Sequence, residues 1–179
     1  WLEGILSDIK IKDIEKRMSI FFDTDRAKIA SHYQQSKLFI YPIEFEESFG
    51  LVIVEAMACG IPVVATDYTS TPELLVENGK CGEPVKLVGG KERFSELYEM
   101  NENFKEVDNK ISSGCIMGNW DVERGIMDDY DCADKLKKLY DDFELRKKYG
   151  KVGRGKVEKY YDWNVVMPQW DRLLEKMME

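Results

Sequence analysis

The chain has 179 residues, of which 44% are hydrophobic and 12% aromatic, and its formal net charge is -8. This length and composition predict one folded domain with its own core, and they exclude a disordered tail or a fibrous repeat. The acidic balance argues against nucleic acid as a partner, because an acidic surface repels a polyphosphate.

Short apolar strands alternate with helical patterns over the first 88 residues. Strands are predicted at Ser19–Phe22, Lys37–Tyr41 and Ile61–Thr66, and helices at Asp25–Gln35, at Phe49–Cys59 and from a capping box at Ser70–Glu73. This alternation is typical of parallel strands joined by helical crossovers. The sequence therefore predicts an α/β domain with a Rossmann-like parallel sheet and helices on both faces. Its ligand site is expected at the carboxyl ends of the strands.

The pattern changes after this first part of the chain. Residues 80–122 are polar and are interpreted as an excursion from the sheet. From Asp131 the chain is predicted to be helical, and an apolar stripe is formed by Ala133, Leu136, Tyr140 and Phe143. A last amphipathic helix is predicted over 160–179, where Pro168 must start or kink it.

Several features favour a cytoplasmic protein without a metal ion. The four cysteines form no CxxC pair and no zinc spacing, which favours reduced thiols. The acidic run 128–131 imitates a metal-binding DxD, but its place before a helix favours Asp131 as an N-cap. The one histidine, His32, is expected at the surface. Because the chain opens on Trp1 in helix-like sequence, we expect it to be a piece of a longer protein.

Two glutamates separated by seven residues stand out in the stretch 42–82. Glu47 precedes a turn at Gly50, and Glu55 lies in the predicted helix that follows. A helix N-terminus after a glycine turn presents free amide N–H groups and a partial positive charge, which suit a phosphate. The carboxylates would repel that phosphate, so neutral hydroxyls are their natural partners. This arrangement suits a sugar nucleotide, with one glutamate on the ribose and the other on the sugar ring.

A simpler interpretation of the two glutamates is also open. Glu55 then lies on the wet face of its helix, and Glu47 lies in an exposed acidic turn. If Glu55 is instead buried among its apolar neighbours, a ligand must supply its partner, because a buried unpaired carboxylate is costly.

The same stretch resembles the donor-binding motif of the retaining GT-B glycosyltransferases of the family 4 group, which includes many mannosyl-, glucosyl- and N-acetylglucosaminyltransferases. The residues that carry the resemblance are Pro42, Glu47–Leu51, Glu55–Gly60, Pro62–Asp67 and Pro72–Glu73, with a weaker likeness at Gly125–Met127 and Tyr161–Trp163. The resemblance implies that residues 1–179 are the C-terminal, nucleotide-sugar-binding half of a GT-B fold. It also implies that 160–179 packs toward an N-terminal domain outside this chain.

The resemblance implies a role for each residue of the motif. Glu47 contacts the transferred hexose, and Glu55 takes the ribose hydroxyls. The backbone amides of Phe49, Gly50 and Leu51 contact the sugar and the diphosphate.

The base is implied only loosely. It lies near the loop after the first strand, which corresponds to Phe22 and Asp23 here.

The implied reaction is transfer of a hexose, from GDP-mannose or a UDP-hexose, to a hydroxyl acceptor with retention. The leaving diphosphate is stabilised electrostatically, with no metal or other cofactor. The acceptor is a glycan or a lipid-linked molecule. The basic run Lys135–Lys159 is a solvated face or, alternatively, a contact with a membrane surface.

Two departures from the family pattern limit these expectations. Tyr68–Thr71 stand where the family has two glycines. The family's basic phosphate-binding pair lies upstream of this chain, so the chain by itself is not expected to catalyse. Two alternatives stay open: a non-catalytic nucleotide-binding or interaction domain of the same fold, and another GT-B enzyme, such as a glycogen-synthase-like polymerase or a sugar-nucleotide epimerase.

Overall fold

The structure is a computed structural model, and it describes residues 19, 21, 25–44, 47–88, 115–117 and 123–178. Half of the predicted strand Ser19–Phe22 lies outside these residues, as do the predicted base contacts Phe22 and Asp23.

The first half of the chain alternates helices and strands, as predicted for all of its elements except the last strand. Helix α1 (Arg26–Gln35) leads to strand β1 (Phe39–Tyr41), α2 (Leu51–Ala58) to β2 (Val63–Thr66), and α3 (Thr71–Leu75) to β3 (Gly82–Val85). Asp25 caps α1 by accepting a hydrogen bond from the Lys28 amide at 2.9 Å. Beyond α2, Gly60 has a φ of 74°, the left-handed conformation that glycine adopts most easily.

The three strands form one parallel sheet in the order β1-β2-β3. Phe39 is paired with Val63, and Val63 is paired in turn with Gly82. The third strand was not predicted, because Gly82 and Pro84 disfavour a strand. A Cβ on Gly82 would lie 2.4 Å from the Val63 carbonyl oxygen, so this register requires a residue without a side chain. The Pro84 carbonyl accepts a hydrogen bond from the Lys135 side chain.

The predicted excursion over 80–122 is therefore wrong at its start, since the sheet continues through Val85. Leu87 forms an isolated bridge with Met127 just beyond it. Two short antiparallel strands, β4 (Cys115–Met117) and β5 (Glu123–Gly125), precede the last helices.

Helices make up the last third of the chain. They are α4 (Asp129–Asp141), α5 (Phe143–Lys156), a π-helical turn (Val157–Tyr161) and α6 (Trp163–Met178), which contains Pro168. Within the described parts of the chain, none of the helices combines the length and the apolarity needed to cross a bilayer.

Two details of α4 differ from the prediction. Its N-cap is Asp128, which accepts a hydrogen bond from the Asp131 amide at 2.9 Å, so the prediction of Asp131 as the cap is wrong. The buried residues of the helix are Cys132 and Leu139. Tyr140, which was predicted to join the apolar stripe, is 63% exposed. The helix begins before Asp131, and its buried face is displaced by one residue from the predicted stripe.

The core lies on both sides of β2, each residue of which is buried. Val63 and Ala65 pack in one cluster with residues of α2 and α3, including Ile53, Met57 and Leu74. Val64 packs in a second cluster with residues of β3, α4 and α5. Because successive side chains of a strand point to opposite faces, helices cover both faces of the sheet, as predicted.

Helix α5 reaches α2 through a contact between two glycines. A Cβ on Gly150 would lie 2.0 Å from the carbonyl oxygen of Gly60. Arg154, one turn further along α5, donates a hydrogen bond to the Ala58 carbonyl at the end of α2. The end of α2 therefore lies directly against the α5 backbone.

We expect Gly150→Ala to destabilise the domain by about 3 kcal/mol, because the added methyl group forces α5 away from α2. Gly155→Ala is the matched control on the same helix, since a Cβ there meets nothing within 4 Å. Removing that exposed glycine should stabilise the helix by about 0.5–1 kcal/mol. Urea denaturation of the two variants measures the difference, and equal midpoints would contradict the close contact.

A buried carboxylate joins β3 to the helices behind it. Glu83 accepts hydrogen bonds from the Lys138 Nζ at 2.6 Å, the Lys80 Nζ at 2.7 Å and the Tyr149 hydroxyl at 2.9 Å. Burial raises the pKa of Glu83, but the hydrogen bonds from Lys138, Lys80 and Tyr149 outweigh it, so the net pKa is lowered. Burial raises the pKa of Tyr149, and the hydrogen bond to Glu83 raises it further, so the Tyr149 hydroxyl stays protonated and donates.

A lowered carboxyl pKa makes stability depend on pH in a defined direction. Glu83 contributes stability above its unfolded pKa and loses it as the pH falls through the folded value. We expect the urea concentration at the unfolding midpoint to decrease once the pH is below about 4. Glu83→Gln should lower the free energy of unfolding at pH 7 by about 3 kcal/mol, which lowers the urea midpoint, and it should flatten the dependence of that midpoint on acid pH. The exposed Glu175→Gln variant should leave both unchanged. An acid dependence that Glu83→Gln leaves intact would refute this assignment.

Candidate functional site

The turn between β1 and α2 is the centre of the predicted site. Gly50 is the N-cap of α2 and has a φ of 87°, which favours glycine. Gly50 is also buried, and a Cβ there would lie 3.2 Å from Leu74 Cδ1. A glycine is therefore required here by the backbone and by the packing of α3 against the turn.

The N-terminus of α2 is open to an anion. The first amide groups of a helix have no partners within it. Gly50 offers no side-chain cap, and the first turn of α2 contains no acidic residue. Leu51, the first residue of the helix, is 68% exposed. These amides and the helix dipole provide positive potential at a point that solvent reaches.

Glu47 lies beside this N-terminus and is half-buried. Its Oε2 accepts a hydrogen bond from the Tyr41 hydroxyl at 3.2 Å, and its Oε1 accepts one from the Phe49 amide at 3.4 Å. Its own amide donates to Thr69 Oγ1 at 3.4 Å. Burial raises the pKa of Tyr41, and the hydrogen bond to Glu47 adds to the effect. Tyr41 is thus a protonated donor at neutral pH.

Glu55 is exposed, which agrees with the simpler interpretation that it lies on the wet face of its helix, and the alternative that it is buried among its apolar neighbours is wrong. Ile53, Ala56 and Met57 are the residues of α2 that face the core. Glu55 instead lines a groove of about 220 Å³ whose other lining residues are Arg26, Ile29, Ala30, Tyr33, Ala58 and Cys59. Burial raises the pKa of Cys59, and the negative charge of Glu55 raises it further. The carboxylate thus stands at the wall of an open groove between α1 and α2.

The structure brings part of the predicted site together. Glu47, Phe49, Gly50 and Leu51 lie together where the chain enters α2. Glu55 follows on the same helix, over the groove beside α1. Of the N-terminal segment near the predicted base contacts, Phe21 is described, and its ring lies 4.3 Å from the ring of the exposed His32.

The family of proteins described as "Glycosyl transferases group 1" matches residues 5–107, which is more than half of the chain and includes the whole turn. The chain belongs to this family.

Two curated relatives show the range of this family. The chain is 46% identical over 52 residues to the O-antigen chain mannosyltransferase B of Escherichia coli, a match that covers 29% of this chain and 13% of the relative. It is 29% identical over 136 residues to the sulfoquinovosyl transferase SQD2 of Arabidopsis thaliana, covering 76% of this chain and 19% of the relative. The chain thus spans less than a fifth of the length of either protein.

A solved structure shares the fold of this group 1 domain. The sucrose-phosphate synthase of Thermosynechococcus elongatus matches 99% of this chain and 33% of its own length, with a TM-score of 0.68 and 19% sequence identity. The likeness establishes the α/β fold, with a GT-B glycosyltransferase as the neighbour.

The loop after β2 is the place where this group 1 domain departs from the expected glycine pattern. Thr69 has a φ of 51°, a left-handed conformation that is unusual for a β-branched residue. The Ser70 hydroxyl makes no capping hydrogen bond, so the predicted capping box is wrong. Among the described residues, the buried side-chain oxygens of Thr66, Ser70 and Thr71 have no hydrogen-bond partner within the protein. Tyr68 fills the space beside Gly125, where a Cβ would lie 2.7 Å from its ring.

The site also includes contacts that sequence reasoning missed. Tyr41 and Thr69 contact Glu47, although the sequence analysis assigned no role to either. The signal for Thr69 was its place among the residues that replace two glycines. Tyr161, in the π-helical turn, meets the Phe49 ring edge-on at 5.5 Å, so the junction before α6 touches the turn at α2.

Proposed function

We propose that this chain is the nucleotide-sugar-binding domain of a glycosyltransferase that moves a hexose from a nucleoside-diphosphate sugar to a hydroxyl acceptor, with retention. The observation that carries the proposal is the open N-terminus of α2 beside Glu47, in a chain of the group 1 family. The relatives named as a mannosyltransferase and a sulfoquinovosyl transferase support transfer of a sugar.

In this proposal the diphosphate lies at the start of α2. The amides of Gly50 and Leu51 face it, while the Phe49 amide donates to Glu47 Oε1. The helix dipole contributes about 0.3–1 kcal/mol, or up to ~2 kcal/mol where it is partly shielded from water. The same dipoles stabilise the charge that develops on the leaving diphosphate, and they perform this role without a metal ion or another cofactor.

The two carboxylates bind hydroxyl groups in the same proposal. Glu47 accepts hydrogen bonds from the hexose, and Glu55 accepts two from the ribose diol. The exposed position of Glu55 supports this role, because the residue lines a groove between α1 and α2 in which a ribose could reach its carboxylate. The base then lies toward the segment that contains Phe22 and Asp23.

The donor proposed is GDP-mannose or a UDP-hexose, and the acceptor is a glycan or a lipid-linked hydroxyl. GDP-mannose is favoured by the relative named as a mannosyltransferase. The enzyme is proposed to work in the cytoplasm, with the basic run Lys135–Lys159 as a contact for a membrane surface.

The exposed apolar face of α6 is the feature that favours a second domain packed against this one. None of its residues is buried, and its large apolar side chains are exposed, including Trp163 at 73% and Met177 at 75%. An exposed apolar stripe of this kind marks an interaction surface. We propose that an N-terminal glycosyltransferase domain covers it, since the chain spans 33% of the matched sucrose-phosphate synthase.

The proposal predicts that the chain melts at a higher temperature in the presence of its nucleotide. At roughly 10 mM ligand and a millimolar Kd, binding stabilises the folded state by about 1.4 kcal/mol. For a chain of this length, the melting temperature rises by roughly 3–6 °C. A panel of GDP, UDP, ADP and their sugars identifies the base. If no nucleotide shifts the melting temperature, the proposed donor site is refuted in this chain.

Glu55→Ala tests the ribose contact. Loss of two hydrogen bonds to a charged group should weaken nucleotide binding by about tenfold or more, which reduces the thermal shift to less than a third. The melting temperature without ligand should stay the same, because the exposed Glu55 belongs to neither core cluster. Glu77→Ala, at another exposed glutamate, is the control and should bind normally. Undiminished affinity in the Glu55 variant would contradict the assignment.

A further inference from the structure

Two residues hold Glu47 from the ends of two adjacent strands. Tyr41 is the last residue of β1, and Thr69 follows the end of β2 by three positions. The Tyr41 hydroxyl lies 3.2 Å from Glu47 Oε2, and Thr69 Oγ1 lies 3.4 Å from the Glu47 amide nitrogen. One residue thus contacts the carboxylate and the other the backbone of the same glutamate.

Tyr41 is well placed to fix the carboxylate plane. Its ring stacks on Phe39 with a centroid distance of 6.1 Å, and the residue is half-buried. With Tyr41 on Oε2 and the Phe49 amide on Oε1, both oxygens of Glu47 have a partner. Each carboxylate oxygen still has a lone pair for a further hydroxyl donor. The carboxylate is therefore oriented before any ligand arrives.

Thr69 has a left-handed backbone conformation that is sterically unfavourable for its β-branched side chain. A φ of 51° disfavours a β-branched residue and would suit glycine better. Such a conformation persists where the surrounding structure compensates for it, and it is concentrated at functional sites. What a threonine adds here over a glycine is the hydroxyl that accepts from the Glu47 amide.

We propose that Tyr41 and Thr69 are positioning residues for Glu47, which set the affinity of the site for the sugar of the donor and not for its nucleotide. The inference rests on the proposed function, in which Glu47 binds the hexose. Neither residue touches the donor in this arrangement, and both act through the orientation of one carboxylate.

The test is the ratio of two dissociation constants, measured by calorimetry on this chain. The Kd of GDP is divided by the Kd of GDP-mannose, and the Kd of UDP by the Kd of UDP-glucose. Each ratio gives the factor by which the sugar strengthens binding. Tyr41→Phe should lower that ratio by about three- to tenfold, the value of one hydrogen bond to a charged group. The Kd of the nucleoside diphosphate should not change. Tyr149→Phe, which removes another tyrosine–glutamate hydrogen bond in the core, should leave the ratio intact.

Variants of Thr69 test the proposal by changing the sugar ratio without lowering the stability of the chain. Thr69→Gly relieves the backbone strain, so the variant should melt no lower than the parent chain. It should nevertheless lower the sugar ratio by about two- to fivefold, because the hydroxyl is lost. Thr69→Ser keeps the hydroxyl and should restore the ratio. If Thr69 has a purely structural role, Thr69→Gly should change the melting temperature and leave the sugar ratio unaffected.

A Glu47→Ala background completes the test. Once the carboxylate is gone, Tyr41→Phe should have no further effect on the ratio. The inference is overturned if Tyr41→Phe weakens both ligands equally, or if the parent chain binds the sugar nucleotide no better than the bare nucleotide. In either case nucleotide binding itself survives, and so does the proposed donor site. If no nucleotide binds, the proposed function fails, and the positioning role fails with it.

Discussion

The complete burial of β2 is the constraint on which the rest of the domain depends. Its side chains fill a core on each face, so helices must pack on both sides of the sheet. Its backbone pairs with β1 and β3, and at Gly82 the neighbouring strand tolerates no side chain. Because the strands are parallel, the ends of β1 and β2 reach the same edge of the sheet. The turn at Glu47 and the loop at Thr69 meet there as a result.

The electrostatics of the candidate site differ from those of the chain as a whole. The net charge of -8 repels a diphosphate at long range. At short range, the α2 N-terminus has positive potential, and no acidic residue lies in its first turn. Glu47 lies beside that point, and Glu55 lies further along the same helix, over the groove beside α1. The proposed function assigns both carboxylates to hydroxyl groups rather than to phosphates. The Tyr41 hydroxyl and the Phe49 amide each donate a hydrogen bond to one carboxylate oxygen of Glu47, which restrains the orientation of the carboxylate beside this N-terminus.

The sequence predictions succeeded where a local rule decides the structure. Asp25 caps α1, Gly60 follows the end of α2, and the spacing of the apolar runs gave α1, β1, α2 and β2. They failed where a residue's surroundings come from a distant part of the chain. β3 was missed because the sequence of Gly82 and Pro84 disfavours a strand, whereas its place is set by Val63 and Lys135. The burial of Glu55 stayed open because its sequence neighbours are apolar, and only the packing of the helix shows that the core lies on its other side.

By itself the sequence determined the fold class, the family pattern and the identity of the turn residues Glu47 to Leu51. These follow from apolar periodicity, from a glycine at the start of a helix and from the spacing of two carboxylates, and all of them are local. Tertiary structure alone decided that Glu55 faces an open groove, that Gly150 lies against Gly60, and that Tyr41 and Thr69 contact Glu47. The physical reason is that parallel strands bring together residues far apart in sequence, and no local pattern encodes which side chains then meet.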